Sequence, residues 1–183
     1  MEKDLTWTGS GSLFKSTINK LNYKTISKLD VLDTPYFVSR GLPSSSYTAS
    51  TNSSIAIRAF DGDHSTYWSN STGGSTHWLK VNLDDSYIVT EIRFLSIHSD
   101  MISSCVLSGS NDDINYINIF SFVPKSTSSE EIFKFVNNNA YKFYRLTINK
   151  TGLSTFIHIN SIDLISYDRN KFLFEDGRDI ISL

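Results

Sequence analysis

The stretch Ala59-Phe60-Asp61-Gly62-Asp63-His64-Ser65-Thr66-Tyr67-Trp68, followed by His77-Trp78-Leu79-Lys80-Val81-Asn82-Leu83, decides how this chain folds. An Asp-Gly-Asp bend gathers carboxylates and carbonyls within a few residues, which suits a hard cation that takes about six to eight oxygen ligands. Beyond it, Leu79, Val81 and Leu83 alternate with polar neighbours, the pattern of a strand with one face buried.

The same alternation recurs outward from that run. It appears at Val89 to Ile97 after an Asp84-Asp85-Ser86 turn, Val106 to Ser110, Tyr116 to Phe120, Ile132 to Val136, Phe143 to Ile148 and Ile159 to Ile165. Short strands separated by polar turns predict an all-β sandwich. Upstream, Phe14, Ile18 and Leu21 recur at helical spacing, but among the poor helix formers Thr17, Asn19 and Asn22. Tyr36-Phe37-Val38 is a short strand candidate between Pro35 and Gly41-Leu42-Pro43. Downstream, Asp168 to Ile181 alternates around Asp176-Gly177 and reads as a hairpin whose open edge could pair with another chain. The expected organisation is an N-terminal arm (1–43), a sandwich (44–167) and a C-terminal extension (168–183).

The chain has 183 residues, 39% hydrophobic and 13% aromatic, enough for a substantial core in one domain with appendages. A formal charge of -2 and scattered basic residues leave no electrostatic footprint for nucleic acid. With Cys105 alone, no disulfide can form within the chain. The N-terminus shows neither a long apolar run nor a small-residue cleavage site, and no segment is apolar enough to span a bilayer as a helix. Met101-Ile102 at a loop apex lacks the basic surround expected of membrane insertion. The sequons at Asn52, Asn70 and Asn149 read as chance in a chain rich in Asn, Ser, Ile and Lys, a bias found in AT-rich bacterial and bacteriophage genomes.

The bend and the strand after it resemble the opening of a discoidin, or coagulation factor 5/8 type C, domain, a fold shared by family 32 carbohydrate-binding modules. Ser110-Asn111-Asp112-Asp113-Ile114-Asn115-Tyr116 is similar to that family's Ser-x-Asp-Gly-x-x-Trp hairpin, and Lys142-Phe143-Tyr144-Arg145-Leu146-Thr147-Ile148 to its Arg-Tyr-Ile-Arg-Leu strand. Ile159 to Tyr167 reads as the closing strand. The resemblance implies a discoidin-like jelly-roll β-sandwich whose loops, clustered at the ends, carry function. The segment after Tyr167 resembles connector segments in phage tail proteins.

By the same resemblance, a structural calcium ion would be held by the Arg58 carbonyl, Asp61, Asp63 and Thr66. The family closes its site with a Glu at the start of the last strand, a position that falls here on Ser161, with Asn160 before it. The competing reading of the residues is an Asx-turn in which Asp61 accepts backbone N–H groups. The four His show no metal-ligand spacing of a catalytic centre.

A sugar is held by an aromatic face and by polar groups fixed on loops. Candidates with that mixture are Tyr47, His77, His98, Asp100, Phe156 and His158. Galactose-binding members of the family place a His directly after the Trp, and an Arg and an Asn in the next loop. Here Ser69 follows Trp68, and residues 97–104 hold neither. Trp68 and Trp78 read as core aromatics, Arg145 as a buried ion-pair partner and Cys105 as an inert buried thiol. No nucleophile elbow, phosphate loop or paired acids appear, so a non-enzyme is expected. Two functions remain: a glycan-binding adhesion module on a phage tail or bacterial surface protein, or a virion assembly protein with the same fold. The partners would be a cell-surface glycan or neighbouring subunits, including copies of this chain, at the virion or cell surface.

Overall fold

A computed structural model of the chain describes residues 35–97, 101–125, 128–151 and 156–167, together with the backbone of 171–173 and 179–182. The strands are β1 (Pro35–Phe37), β2 (Tyr47–Ala49), β3 (Trp68–Ser69), β4 (Thr76–Tyr87), β5 (Val89–Ser96), β6 (Ile102–Ser110), β7 (Ile117–Phe122), β8 (Glu131–Lys134), β9 (Tyr141–Lys150), β10 (His158–Tyr167), β11 (Lys171–Leu173) and β12 (Asp179–Ser182). One sheet has the order β1-β10-β5-β8 with β3 added on β10, and the facing sheet has the order β2-β4-β9-β6-β7. Every pairing is antiparallel. These strands thus form the all-β sandwich that the alternation implied, with the discoidin-like fold that the resemblance implied.

Leu79, Val81 and Leu83 of β4 point into the space between the sheets at 0–1% exposure, against Ile92 and Phe94 of β5 and Ile162 and Leu164 of β10. Burying such a side chain stabilises the fold by roughly 1.5–3 kcal/mol. Around β7 and β8 the interior is closed by aromatics: Phe120 stacks on Phe135 at 4.8 Å, and Phe122 lies tilted against Phe133 at 4.3 Å. Asp84 to Ser86 is an irregular, exposed stretch within β4, where the register with β9 shifts between Asn82 and Tyr87. The reversal into β5 comes later, at Ile88.

The segment expected to be an N-terminal arm (1–43) includes a strand of the sandwich. Contacts group Asp33–Asp168 into one compact unit, and the β11–β12 hairpin belongs to the other. β1 pairs with the far end of β10, Pro35 opposite Tyr167 and Phe37 opposite Ile165. The arm therefore contributes an edge strand, and the residues after it lock that strand down. Arg40 donates from Nε and a terminal nitrogen to the two oxygens of Asp163, whose side chain is fully buried. That pairing raises the Arg40 pKa. The Arg40 guanidinium also lies 4.4 Å from the Phe37 ring centroid. The candidate helix at 14–21 lies outside the described residues.

Candidate functional site

A 3-10 turn, Ser53–Ala59, carries the chain to the Asp-Gly-Asp bend, with Ala56, Ala59 and Phe60 buried beneath it. Gly62 has φ +74°, a conformation that favours glycine, and a Cβ there would press the Arg40 guanidinium at 2.8 Å and oblige it to shift. Asp61 Oδ1 accepts the Asp63 N–H at 2.9 Å, the Asx-turn of the competing reading. The Thr66 hydroxyl lies 2.8 Å from Asp61 Oδ2 and 3.2 Å from the carbonyls of both Arg58 and Asp63. Four oxygens therefore converge at the bend. The Asp63 carboxylate turns aside to accept from the Ser65 N–H and hydroxyl, which hold its pKa below the usual range.

Ser161 does not join this group. It is buried, with its hydroxyl 3.5 Å from Asp163 on the outer side of β10. Asn160, one residue earlier, reaches the bend instead, donating from Nδ2 to the carbonyls of His64 (3.1 Å) and Thr66 (3.3 Å). Its Oδ1 is buried with no hydrogen-bond partner. The oxygen set fits a hard cation in kind, with Asp61 as its carboxylate. Among the described residues no three His, Cys, Asp or Glu side chains cluster as a metal site.

Beyond Thr66 the chain passes into β3, which pairs with the start of β10: Trp68 lies opposite Ile159 and Ser69 opposite His158. Trp68 is fully buried and donates from Nε1 to the Thr51 carbonyl at 2.9 Å. Its burial turns the preceding Tyr67 outward. Tyr67, 39% exposed, stacks on the His158 ring with centroids 4.2 Å apart and planes 14° from parallel. Phe156, two residues before His158 and separated from it by the buried Ile157, is 53% exposed. Tyr67 and Phe156 present exposed aromatic surface near the start of β10, with the half-buried His158 backing Tyr67.

The remaining sugar-site candidates fall elsewhere. Tyr47 is a core residue, 3% exposed, stacked on Phe60 at 5.1 Å with its hydroxyl donating to the Ser39 carbonyl at 2.9 Å. His77 is 2% exposed, because alternation along β4 turns it inward beside Trp68. Burial, helped by Lys150, holds its imidazole below the usual histidine range. Neutral His77 accepts at Nε2 from the Asn70 amide (3.3 Å), which leaves Nδ1 to donate to Ser50 Oγ (3.5 Å). Asn70 in turn donates to the Thr72 carbonyl and accepts the Ile157 N–H at 2.8 Å. His77 and Asn70 thus brace the loop after β3 against the segment that carries Phe156 and His158. His98 and Asp100 lie outside the described residues.

Tyr67 was the residue that the sequence reading passed over. Its signal was its place beside an inward Trp68, since alternation sends it outward. Two further expectations are corrected. Trp78 is half-buried on the outer face of its sheet, between the inward His77 and Leu79. Arg145 forms no ion pair among the described residues, and Tyr116 covers its guanidinium at 3.9 Å. Cys105 is fully buried, which raises its thiol pKa.

A sandwich of this topology, with an oxygen-lined bend before β3 and exposed aromatics beside it, defines the class of protein. The F5/8 type C domain model matches residues 42–161, and the chain belongs to that family. Its relatives include the nuclear receptor 2C2-associated protein of Xenopus tropicalis, 26% identical over 106 residues that cover 58% of this chain and 77% of that one. Its structure is similar to chitosan-binding module 1 of a chitosanase/glucanase from Paenibacillus sp. IK-5 (TM-score 0.58, 21% identity, covering 70% of this chain and 98% of that chain). It is also similar to CpGH89CBM32-5 from Clostridium perfringens, solved with GalNAc-beta-1,3-galactose (TM-score 0.55, 19% identity, covering 67% and 97%). At such identities the likeness establishes the shared fold.

Proposed function

We propose that this domain is a non-catalytic glycan-binding module whose sugar rests on the surface formed by Tyr67, His158 and Phe156. The observation that carries the reading is the exposed Tyr67 ring, held nearly parallel on a half-buried His158, together with the exposed Phe156. A pyranose offers its C–H face to such rings, and Ser69, opposite His158, supplies a hydroxyl for its polar edge. The structural neighbours support the reading, since those named above are a chitosan-binding module and a module solved with a disaccharide. A CBM32 of AlyQ, solved with 4,5-unsaturated mannuronic acid, is a further neighbour (TM-score 0.54, 22% identity, covering 64% of this chain and 92% of that chain).

In this reading a structural calcium ion would be held by the Arg58 carbonyl, the Asp61 carboxylate, the Asp63 carbonyl and the Thr66 hydroxyl, with the Asn160 amide able to turn and offer its oxygen. It supplies no chemistry to the sugar. It fixes the bend and so the exit of Tyr67. A shallow surface of this kind binds one sugar weakly, and display of many copies on a phage tail or bacterial surface supplies avidity.

The test is a glycan array probed with the chain clustered on beads and with the free chain. Binding by the clustered form that is lost in Tyr67→Ala and Phe156→Ala, with unchanged melting temperature, is expected. Array binding that both variants retain would place the sugar elsewhere. If the clustered chain binds no glycan while the free chain self-associates, it acts instead as an assembly protein of the virion.

A further inference from the structure

The five-stranded sheet β2-β4-β9-β6-β7 has an outer face that the loop-end site does not use. Residues opposed across an antiparallel ladder share a face. Thr48 lies opposite Lys80, Lys80 opposite Arg145, and Arg145 opposite Ser108, so these four form a row across the sheet. In the next row Trp78 lies opposite Thr147. The turn between β6 and β7 folds over part of this face. Its Asp113 accepts from Lys80 Nζ at 2.7 and 2.8 Å, the Tyr116 hydroxyl donates to Asp113, and the Tyr116 ring caps Arg145.

The result is an unbalanced cluster. Asp113 is taken up by Lys80 and Tyr116, so two cations share one carboxylate and Arg145 has no ion pair among the described residues. Its Nε is buried without a hydrogen-bond partner. On the same face Thr48 Oγ1 and Asn82 Oδ1 are buried and unpartnered as well. Leaving a buried donor on a charged group unmet is more costly than leaving a neutral one. What the cluster lacks is an anion for the guanidinium and hydroxyl groups for Thr48 and Asn82.

We infer that this outer face is a second ligand site, taking a sugar unit that bears an anionic group. The pyranose stacks on Trp78, and its carboxylate or sulfate pairs with the Arg145 guanidinium. Trp78 and Arg145 are diagonal neighbours on β4 and β9, roughly 7–8 Å apart, a span that one ring with its charged substituent covers. Entry displaces the Tyr116 ring from the guanidinium. The Asp113 carboxylate opposes the ligand, which gives the site a signature: removing that charge strengthens binding.

The experiment titrates the full chain by calorimetry with tetragalacturonate, its methyl ester and a sulfated dextran tetramer. The acid or the sulfate is expected to bind, identifying the anionic group, with the uncharged ester about tenfold weaker or worse. Arg145→Gln and Trp78→Ala should each weaken binding by about tenfold, while Lys125→Gln, the same charge change on an exposed loop, leaves it unaltered. Asp113→Asn should tighten it, a gain that misfolding cannot produce. Failure of both anionic oligomers to bind, or binding lost with Tyr67→Ala but kept in Arg145→Gln, overturns the inference; the latter result leaves the loop-end reading standing.

Discussion

The outer faces of the two sheets handle charge in opposite ways. On the β1-β10-β5-β8 sheet each buried carboxylate has its cation within the chain: Arg40 grips Asp163, and Glu91, 1% exposed, accepts from Arg93 Nε at 2.9 Å and from the Tyr167 hydroxyl at 2.6 Å. On the facing sheet Arg145 has no such partner among the described residues, and at the bend Asp61 accepts hydrogen bonds and attracts Arg40 without forming an ion pair among the described residues. Charges satisfied internally hold elements together. Charges left open invite a partner from outside, and the two proposed ligand sites are where that expectation can be tested.

Breaking an internal pair should have the largest effect. Arg40→Ala strands a fully buried Asp163 and strips β1 of its clasp, so a loss of about 3–5 kcal/mol is expected in urea unfolding. A loss under about 1 kcal/mol would mean that the β10 outer face is not closed by this pair.

Glu91 sharpens the contrast through pH. Burial acts to raise its carboxyl, but Tyr167, Arg93 and Lys134 outweigh it and hold the pKa below the usual 4.5. The folded state therefore favours the ionised form, and this contribution is complete above about pH 4.5 and fades as pH falls through the lower folded value. Glu91→Gln should cost about 2 kcal/mol at pH 7 and progressively less toward pH 3. A cost independent of pH would show that the charge contributes nothing.

Asp61 tests the opposite case. If its partner is calcium, chelation should lower stability by about 1 kcal/mol where the free ion stands about five times above its Kd, and Asp61→Ala should abolish that response. Melting curves that superimpose with and without chelator would leave the Asx-turn as the whole role of the bend.

How much of this was legible depended on whether the deciding force was local. Period-2 alternation located β4, β9 and β10, and the Asp-Gly-Asp spacing located the oxygen-lined bend, because both are set within a few residues. Alternation likewise fixes Trp78 outward and His77 inward on β4, yet residue chemistry suggested the reverse, a Trp for the core and a His for the surface. The burial of Tyr47 has no local signal, because the Ser39 carbonyl that accepts from its hydroxyl comes from the segment expected to be an arm. Asn160 and Ser161 differ by one residue, and a register break between β10 and β5 occurs there, so spacing alone could not choose between them. No local pattern says that Asp113 will take Lys80 and leave Arg145 open, since that pairing is made by a turn folding back across the sheet.

The smallest expected effect is the most discriminating. Arg145→Met keeps the stem that packs on the sheet and removes a guanidinium that lacks an ion pair and whose Nε is unmet. The variant loses the contact with Tyr116, worth about 0.5–1 kcal/mol at a partly exposed site. It also relieves a buried donor without a partner, a gain of similar size and opposite sign. The two should nearly cancel, leaving stability within about 1 kcal/mol of the parent, whereas a guanidinium clasped like Arg40 would cost several times more on replacement. Paired urea titrations of Arg145→Met and Arg40→Ala make the comparison directly. Equal losses would mean that Arg145 is compensated within the chain after all, and the two outer faces would no longer differ in kind.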